Sequence, residues 1–317
     1  MKVLILAPRL DCMFKEGPVP DVEGPPNDPI RVHWAKLVQC LKKDHEEKGD
    51  TVEILKKPLW QFTPEDICTR NPDLAYIPHK EAHSFPIPEI ENIDVLYYHQ
   101  TVFPWRFYID KQGWAGGASV KGEDIMEMGM NNAHDRFDQL RKYSLSGGTK
   151  FAQPPHKKLF PAIIPNLRDY VLFPCQIPHD ETIKYHSRVT VEEALKQTIH
   201  HCRRSNKFLI VKGHPVNPGS MEPLKKICSQ QGITYIDDMP IHQLFERAKH
   251  VVCVNSGTGM EALLHHKNVI TFGDCEYNVV TRNIETGLKS GPYAQPKLAK
   301  FFDGWCKWTY NTSPGFC

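Results

Sequence analysis

Short apolar runs alternate with amphipathic stretches along the chain. Residues 2–7 form an apolar run typical of a buried strand, residues 30–48 show helical periodicity that ends at Gly49, and residues 51–55 form the next apolar run. A strand, a helix and a strand in this order make a β-α-β unit, which favours a parallel sheet. The same pattern predicts two further strands in this half, at residues 74–77 and 95–98.

The second half of the chain repeats this alternation. Apolar runs bounded by turn residues predict strands, and the amphipathic stretches between them predict helices. The predicted strands are residues 170–174, 208–212, 234–236, 251–254 and 269–272, and the predicted helices are residues 190–204, 221–231, 241–248 and 261–266. We therefore expect a second parallel sheet with helices on its faces.

A chain of 317 residues exceeds the usual size of one domain, so we expect two domains with separate cores. We predict an N-terminal Rossmann-like domain at residues 1–167 and a C-terminal one at residues 168–295. Apolar side chains at helical spacing predict a C-terminal helix, and we expect residues 296–317 to pack back on the first domain.

Three connecting segments are less regular. Residues 126–143 read as one helix with acidic and basic faces, and residues 144–158 as a Gly/Pro loop before the domain junction. Residues 8–29 are rich in Pro and Gly, and loops of this length in compact domains are usually functional. We predict that this long connection covers a substrate.

Two basic side chains follow the strand predicted at residues 208–212. Lys212 and His214 lie beyond the carboxyl end of that strand, where ligands of open α/β sheets bind. Both can donate to a phosphate and offset the negative charge that develops on a departing nucleotide. The alternative is a His-Pro turn that only ends the strand.

A turn of small residues joins the strand at 251–254 to the following helix. It consists of Asn255, Ser256, Gly257, Thr258 and Gly259. Small side chains let backbone N–H groups and the helix N-terminus approach a bound phosphate. The alternative is an ordinary tight turn in which Ser or Thr is the N-cap. Together, the two strand ends predict a nucleotide-sugar phosphate site.

Composition narrows the range of partners. The 39 basic and 37 acidic residues give a formal net charge of +2, which does not favour nucleic-acid binding. No apolar run approaches the roughly 18 residues that cross a bilayer, and the first one ends too early for a secretory signal. We predict a cytoplasmic protein without a transmembrane segment. Neither C-x-x-C nor Asp-x-Asp occurs, so we expect no metal and no cofactor besides the donor substrate.

Four motifs follow one another in the second half. They are Gln176-Ile-Pro-His-Asp180, Lys212-Gly-His-Pro215, Asn255-Ser-Gly-Thr-Gly-Met-Glu261 and Gly273-Asp-Cys-Glu-Tyr277. This succession resembles the bacterial capsule polysaccharide synthesis family, which includes the Kdo transferases. The resemblance covers mostly residues 95–285, and it implies a GT-B-like α/β fold of two Rossmann-like doubly wound domains with an interdomain cleft.

The resemblance implies a role for each matching position. Asp180 matches the carboxylate placed at the anomeric carbon, as a base or as a nucleophile, and His214 matches the histidine that stabilises the departing phosphate. Glycosyl transfer needs both kinds of group, because its transition state separates positive from negative charge. For Asp180 the alternative is a helix N-cap. The residues expected to bind the donor are Gln176, Lys212, Asn255, Ser256, Gly257, Thr258 and Glu261, of which Glu261 is suited to the ribose hydroxyls.

The first half matches the family pattern less closely. Gln100 and Val102 stand where Glu and Gly are usual, and Asp110 is retained in the altered segment. Asp110 is a candidate second acid or base, with a solvated turn as the alternative.

Aromatic residues in the same region are candidates for the acceptor side. Trp105 and Trp114 can stack on sugar faces, with core packing as the alternative. We group Gln100 with them on the acceptor side.

These expectations describe a metal-independent glycosyltransferase. It moves a sugar from a nucleotide sugar, either CMP-Kdo as the family implies or a UDP-sugar such as UDP-xylose or a UDP-hexose, to a glycan acceptor. The alternatives are a nucleotide-sugar epimerase of similar fold and a non-catalytic glycan- or nucleotide-binding relative. An NAD dehydrogenase is disfavoured, because no G-x-G-x-x-G turn follows the first strand.

Overall fold

The chain forms two compact units. The computed structural model describes residues 1–8, 29–79, 93–151, 153–155 and 169–313, with only the backbone for residues 29–32 and Trp60. The first unit comprises Met1–Val120 and Trp308–Cys317, and the second comprises Lys121–Lys307. Each unit has its own sheet and its own hydrophobic core.

The first unit is built on a mixed sheet with the strand order β11-β5-β4-β3-β1-β2. β1 to β4 run parallel, whereas β5 is antiparallel to β4 and β11 is antiparallel to β5. The strands are β1 (Lys2–Pro8), β2 (Thr51–Lys57), β3 (Leu74–Pro78), β4 (Asp94–Gln100), β5 (Arg106–Asp110) and β11 (Tyr310–Asn311), and the described helices are α1 (Pro29–Glu46) and α2 (Pro64–Cys68).

Strand β1 is apolar on both faces because the sheet is covered on both sides. Val3 and Ile5 pack into one core cluster together with α1 residues such as Leu37. Leu4 and Leu6 point the other way, into a second cluster. This explains why the strand reads as a continuous apolar run and not as an alternating one.

The second unit contains a parallel sheet with the strand order β10-β9-β6-β7-β8. Its strands are β6 (Tyr170–Pro174), β7 (Leu209–Lys212), β8 (Thr234–Ile236), β9 (Ala248–Cys253) and β10 (Asn268–Thr271). The helices are α3 (Gly122–Met128), α4 (His134–Leu145), α5 (Glu181–His186), α6 (Val191–Arg204), α7 (Glu222–Gln231), α8 (Ile241–Phe245), α9 (Gly257–Leu264), α10 (Ile284–Gly287) and α11 (Gln295–Trp308). The α/β class and the parallel second sheet are as predicted.

The single helix predicted over residues 126–143 is wrong. Two helices, α3 and α4, occupy this region with a turn between them. Asn132 in that turn has φ of 62°, which a helix does not allow. The prediction also missed β5, which lies between the aromatic candidates Trp105 and Trp114.

The units divide after Val120, whereas the sequence places a boundary at residue 167. The helices α3 and α4 belong to the second unit, and so does α11 as far as Lys307. Of the C-terminal segment expected on the first unit, only Trp308–Cys317 is assigned there, and β11 pairs with β5. The predicted junction at residue 167 lies outside the described residues. So do residues 9–28 of the long connection that is predicted to cover a substrate.

The helices α3 and α11 cross at backbone contact within the second unit. A Cβ added to Gly304 would lie 1.8 Å from the carbonyl oxygen of Ile125, and one added to Gly129 would lie 2.0 Å from that of Lys300. Phe302 on α11 packs against Phe137 on α4, with ring centroids 5.7 Å apart. Glycine is required at both crossing positions, because any side chain would push the two helices apart.

We expect Gly304→Ala to destabilise the protein by about 2 kcal/mol or more, because neither backbone can move without disrupting its helix. The comparison variant is Gly291→Ala, where nothing lies within 4 Å of the added Cβ. Urea unfolding of the two variants measures the difference. Equal midpoints would show that the crossing tolerates a methyl group.

Candidate active site

Three neighbouring strands of the second sheet end at the predicted donor site. β9, β6 and β7 are adjacent and parallel, so their carboxyl ends lie on one edge. Asp180 follows β6, His214 follows β7 and Ser256 follows β9. The strand order reverses between β6 and β9, which is where ligands of doubly wound sheets bind.

Gln176 and Asn255 connect the ends of β6 and β9. Gln176 Oε1 accepts hydrogen bonds from the backbone N–H groups of Val254 and Asn255 at 3.1 and 3.0 Å, and Gln176 Nε2 donates to Asn255 Oδ1 at 2.9 Å. Asn255 Nδ2 donates to the carbonyl oxygen of Thr182 at 2.8 Å. Both side chains are buried. These two predicted donor-binding residues therefore hold the turn before α9 against α5 through contacts inside the protein.

Asp180 is the N-cap of α5. Its Oδ1 accepts hydrogen bonds from the backbone N–H and the hydroxyl of Thr182, at 2.9 and 2.6 Å. Asp180 is half-buried, and no described residue donates a hydrogen bond to its Oδ2. The N-cap that was the alternative to a catalytic role is present, and it uses one of the two carboxylate oxygens.

His214 is a neutral hydrogen-bond donor at neutral pH. Burial lowers its pKa to about 4, against the opposing effect of the Asp180 carboxylate. Its Nδ1 accepts from the backbone N–H of Val216 at 3.3 Å, which places the ring proton on Nε2. Nε2–H can therefore donate to a phosphate oxygen without carrying a positive charge.

Lys212 uses its ammonium group inside the protein. Nζ donates to the carbonyl oxygens of Gly213 and Asp237, at 2.8 and 3.3 Å. The side chain is 3% exposed, and burial lowers its pKa. Lys212 therefore joins the ends of β7 and β8. The dipoles of these two carbonyl groups already compensate the positive charge of its ammonium.

The turn after β9 has the form expected for an anion site. Ser256 is the N-cap of α9, and its Oγ accepts from the backbone N–H of Thr258 at 3.2 Å. Gly257 is exposed, so the first turn of α9 is accessible. A Cβ at Gly259 would lie 2.6 Å from the Tyr277 hydroxyl oxygen, and that hydroxyl donates to the carbonyl oxygen of Ser256. These contacts fix the conformation of the turn, and the helix N-terminus favours negative charge in front of it.

Glu261 lies on the buried face of α9. Burial raises its pKa to about 8, although a hydrogen bond with the Thr149 side chain acts in the opposite direction. His242 Nε2 is 4.0 Å from Glu261 Oε1, and His242 Nδ1 is 3.2 Å from His265 Nε2. The carboxyl group is therefore protonated at neutral pH and can donate a hydrogen bond, which suits a ribose hydroxyl.

Residues 149–151 lie at the site but were predicted only as part of a loop. Besides the Thr149 contact with Glu261, the Phe151 ring packs against the His214 ring, with centroids 5.8 Å apart. Lys150 Nζ lies 5.6 Å from the Phe151 centroid, and the Asp180 carboxylate acts on its pKa. The only local signal was the Gly147-Gly148 pair before these residues, which is equally typical of a linker.

The predicted residues of the first unit take part mainly in local packing. Asp110 Oδ1 accepts from the backbone N–H groups of Gln112, Gly113 and Ser119, and its Oδ2 accepts from the Ser119 hydroxyl. The Asp110 carboxylate thus organises the loop that follows β5. The turn predicted as the alternative is present, but the carboxylate is buried and not solvated.

The three acceptor-side candidates differ in exposure. Gln100 and Trp105 are buried, and Gln100 Nε2 donates to the carbonyl oxygen of Pro104 at 2.6 Å. Trp114 is half-buried and stacks on His99, with ring centroids 3.8 Å apart. Trp114 is therefore the most accessible of the three.

Two kinds of feature are absent from the described residues. They contain no group of three or more His, Cys, Asp or Glu side chains placed to hold a metal ion. No helix in the described part of the chain is long and apolar enough to cross a membrane.

The fold is that of GT-B-like α/β proteins. The β Kdo 2,7 transferase of KpsC from Thermosulfurimonas dismutans aligns over 96% of this chain and 90% of that chain, with a TM-score of 0.58 and 16% identity. The β Kdo 2,4 transferase of the same protein aligns over 84% and 87%, with a TM-score of 0.53 and 17% identity. These similarities confirm the predicted fold class of Rossmann-like doubly wound domains.

The family is identified by a match to the amino-acid sequence. The model of the capsule polysaccharide biosynthesis protein family matches residues 130–288, half of the chain and all within the second unit. This chain belongs to that family, as the motifs predicted. The Escherichia coli capsule polysaccharide export protein KpsS is 29% identical over 135 residues, which cover 39% of this chain and only 35% of KpsS.

We expect Glu261→Gln to change the pH dependence of stability. Because the folded-state pKa is raised to about 8, Glu261 contributes stability that is fully present below its usual pKa of 4.5 and is lost as the pH rises towards about 8. Relative to the wild type, the variant should gain roughly 3.5 kcal/mol of unfolding free energy between about pH 5 and pH 8. Thermal unfolding across this range measures the gain, with the exposed Glu127→Gln as control. A constant difference between Glu261→Gln and wild type would contradict the raised pKa.

Proposed function

We propose that this chain is a metal-independent glycosyltransferase that moves a sugar from a nucleotide sugar to a glycan acceptor in surface polysaccharide synthesis. The observation that carries the proposal is the pairing of Asp180 with His214 at adjacent strand ends. Asp180 keeps one oxygen without a hydrogen-bond donor among the described residues, and its charge acts on His214, whose Nε2 carries a proton. A carboxylate for the anomeric carbon and a donor for the leaving phosphate are what glycosyl transfer requires.

In the proposed reaction the bond between the anomeric carbon and the phosphate oxygen breaks, and its electron pair stays on the phosphate. The acceptor oxygen bonds to the anomeric carbon, and its proton passes to Asp180 Oδ2 when Asp180 is the base. When Asp180 is the nucleophile, Oδ2 first bonds to the anomeric carbon, and the acceptor oxygen displaces it in a second step while its proton passes to water. His214 donates through Nε2–H and keeps its proton in both cases.

The donor is either CMP-Kdo or a UDP-sugar. The family and the Kdo transferases of similar fold favour CMP-Kdo. The phosphate turn at Ser256 and the hydroxyl-binding position of Glu261 suit both nucleotides, because CMP and UDP share the phosphate and the ribose and differ only in the base and the number of phosphates. The acceptor is a glycan, for which Trp114 in the first unit is a stacking position.

We expect Asp180→Asn to lower kcat by roughly 10³-fold while nucleotide affinity stays near that of the wild type. Asparagine is as good an N-cap as aspartate, so Oδ1 still caps α5 while the charge at Oδ2 is removed. Release of the free nucleotide in the presence of acceptor measures turnover, and calorimetry measures affinity. Exposed Asp138→Asn is the matched control. Unchanged turnover in the Asp180 variant would exclude the proposed role.

We expect CMP or UDP to raise the melting temperature of the wild type, because a ligand that binds only the folded state stabilises it. GDP, ADP and NAD should give no shift, and EDTA should not abolish the shift given by CMP or UDP. His214→Ala should reduce it, since one phosphate donor is lost. A shift with CMP supports a Kdo-type donor and one with UDP another sugar, whereas no shift with either nucleotide would contradict the proposed donor site.

A further inference from the structure

Four polar side chains from three helices form a cluster that leads to Glu261. Ser144 Oγ on α4 lies 3.0 Å from His265 Nε2 at the end of α9, and the same His265 nitrogen lies 3.2 Å from His242 Nδ1 on α8. His242 Nε2 in turn lies 4.0 Å from Glu261 Oε1 on α9. The polar atoms therefore form a chain that ends at the Glu261 carboxyl group.

The cluster is largely shielded from water. Ser144, His242 and Glu261 are buried. The His242 and His265 rings have centroids 5.2 Å apart, and both contact the Phe245 ring, at 5.8 and 4.9 Å between centroids. Burial of ionisable groups costs free energy, and such groups concentrate at functional sites. Their concentration beside the helix that begins at the phosphate turn therefore indicates a role in the proposed site.

Ionisable side chains outside the cluster also interact with its members. They are Arg141, Tyr143 and Lys267. Burial has the largest effect on His265 and lowers its pKa to about 3, so this ring takes up no proton at neutral pH. His242 is therefore the ring that can exchange a proton with Glu261.

The ribose of a nucleotide presents two neighbouring hydroxyl groups, and both can donate to one carboxylate. Charge-assisted hydrogen bonds of this kind are roughly twice as strong as those between neutral groups. The protonated carboxyl group of Glu261, which is the form present at neutral pH, carries its proton on one of the two oxygens. Glu261 must therefore release this proton before it can accept from both hydroxyl groups as a carboxylate.

We propose that His242 takes up the proton of Glu261 when the nucleotide binds, so that Glu261 becomes a carboxylate that accepts from both ribose hydroxyl groups. In the free protein Glu261 carries the proton and His242 is neutral. The inference rests on the proposed function, in which Glu261 holds the ribose of the donor, and it makes His242 a positioning residue that acts through Glu261.

The transfer is balanced within the cluster. The O–H bond of Glu261 breaks and leaves its electron pair on the carboxylate, and the lone pair of His242 Nε2 forms the new N–H bond. The two atoms are 4.0 Å apart, so they must approach by about 1 Å or exchange the proton through one water molecule. Afterwards His242 Nδ1–H can donate to the neutral His265 Nε2, and the buried ion pair attracts more strongly than it would in water.

The test compares nucleotides with and without the 2′-hydroxyl group. Wild type and His242→Gln are titrated with CMP and 2′-deoxy-CMP, or with the UDP pair where UDP is the nucleotide bound, at pH 7 and pH 9. The wild-type preference for the ribose form should be the same at both pH values. In the variant at pH 7, Glu261 must lose its proton to water below its pKa of about 8, so the preference should fall by about tenfold. At pH 9 it should return to the wild-type value.

His200→Gln, at an exposed position of α6, is the matched control. Glu261→Gln should lower the preference at both pH values, and His242→Gln added to it should have no further effect, because the pair acts as a unit. Calorimetry in two buffers of different ionisation enthalpy counts the protons released on binding. The wild type should release no more protons with CMP than with 2′-deoxy-CMP, since the proton stays in the cluster.

Three results would overturn the inference. One is a His242→Gln variant with the wild-type preference at pH 7, and another is a preference lost equally at pH 7 and pH 9, which shows a structural role alone. The third is a wild type that releases one more proton with CMP than with 2′-deoxy-CMP, which decides the matter even where the variant folds poorly. Each of these leaves the proposed glycosyl transfer intact, whereas a wild type that binds neither CMP nor UDP would overturn the donor site and this inference together.

Discussion

The buried hydrogen bonds between Gln176 and Asn255 determine the geometry of the proposed site. Gln176 holds the backbone of Val254 and Asn255, and Asn255 reaches across to the carbonyl oxygen of Thr182, next to the capping contact of Asp180. Loss of either side-chain amide would leave its buried partners without hydrogen bonds. Each unsatisfied partner would lower the free energy of unfolding by about 1–3 kcal/mol. The network therefore keeps the phosphate-binding turn and the Asp180 carboxylate in register at the point where the strand order reverses.

Burial sets the charges around this network. It lowers the pKa of His214 to about 4 and raises that of Glu261 to about 8, so both side chains are neutral at neutral pH. It also brings the pKa of Lys150 down to about 8, which leaves that group charged but close to its titration point.

Much of the second unit is predictable from sequence because most of its strands are buried on both faces. Such strands read as unbroken apolar runs, and Tyr170–Pro174, which is buried throughout, has the bounds expected from sequence. The break between α3 and α4 is not predictable, since Gly129 is required by the backbone of Lys300, far along the chain. Arg106–Asp110 was missed although it pairs with the preceding strand, Asp94–Gln100, as well as with Tyr310–Asn311.

The residues of the candidate site likewise divide into those that the sequence predicts and those that it does not. Asp180, His214 and Ser256 lie at strand ends, so topology alone places them together. Gln176 and Lys212 share the motifs, yet their side chains bond within the protein, which a motif cannot reveal. Lys150 has no motif of its own, and nothing local in the sequence indicates that the Asp180 carboxylate acts on its pKa.

Asp180 shows how one side chain serves both structure and the proposed chemistry. Oδ1 caps α5 by accepting from the backbone and the hydroxyl of Thr182, and this pair of hydrogen bonds fixes the plane of the carboxylate. The direction of Oδ2 is thereby set without any hydrogen bond of its own from a described residue. A carboxylate on a longer or uncapped side chain would need further partners to hold the same orientation, and each would compete with the substrate for the same oxygen. The N-cap and the proposed catalytic role are therefore compatible, because the cap orients Oδ2 before any donor binds.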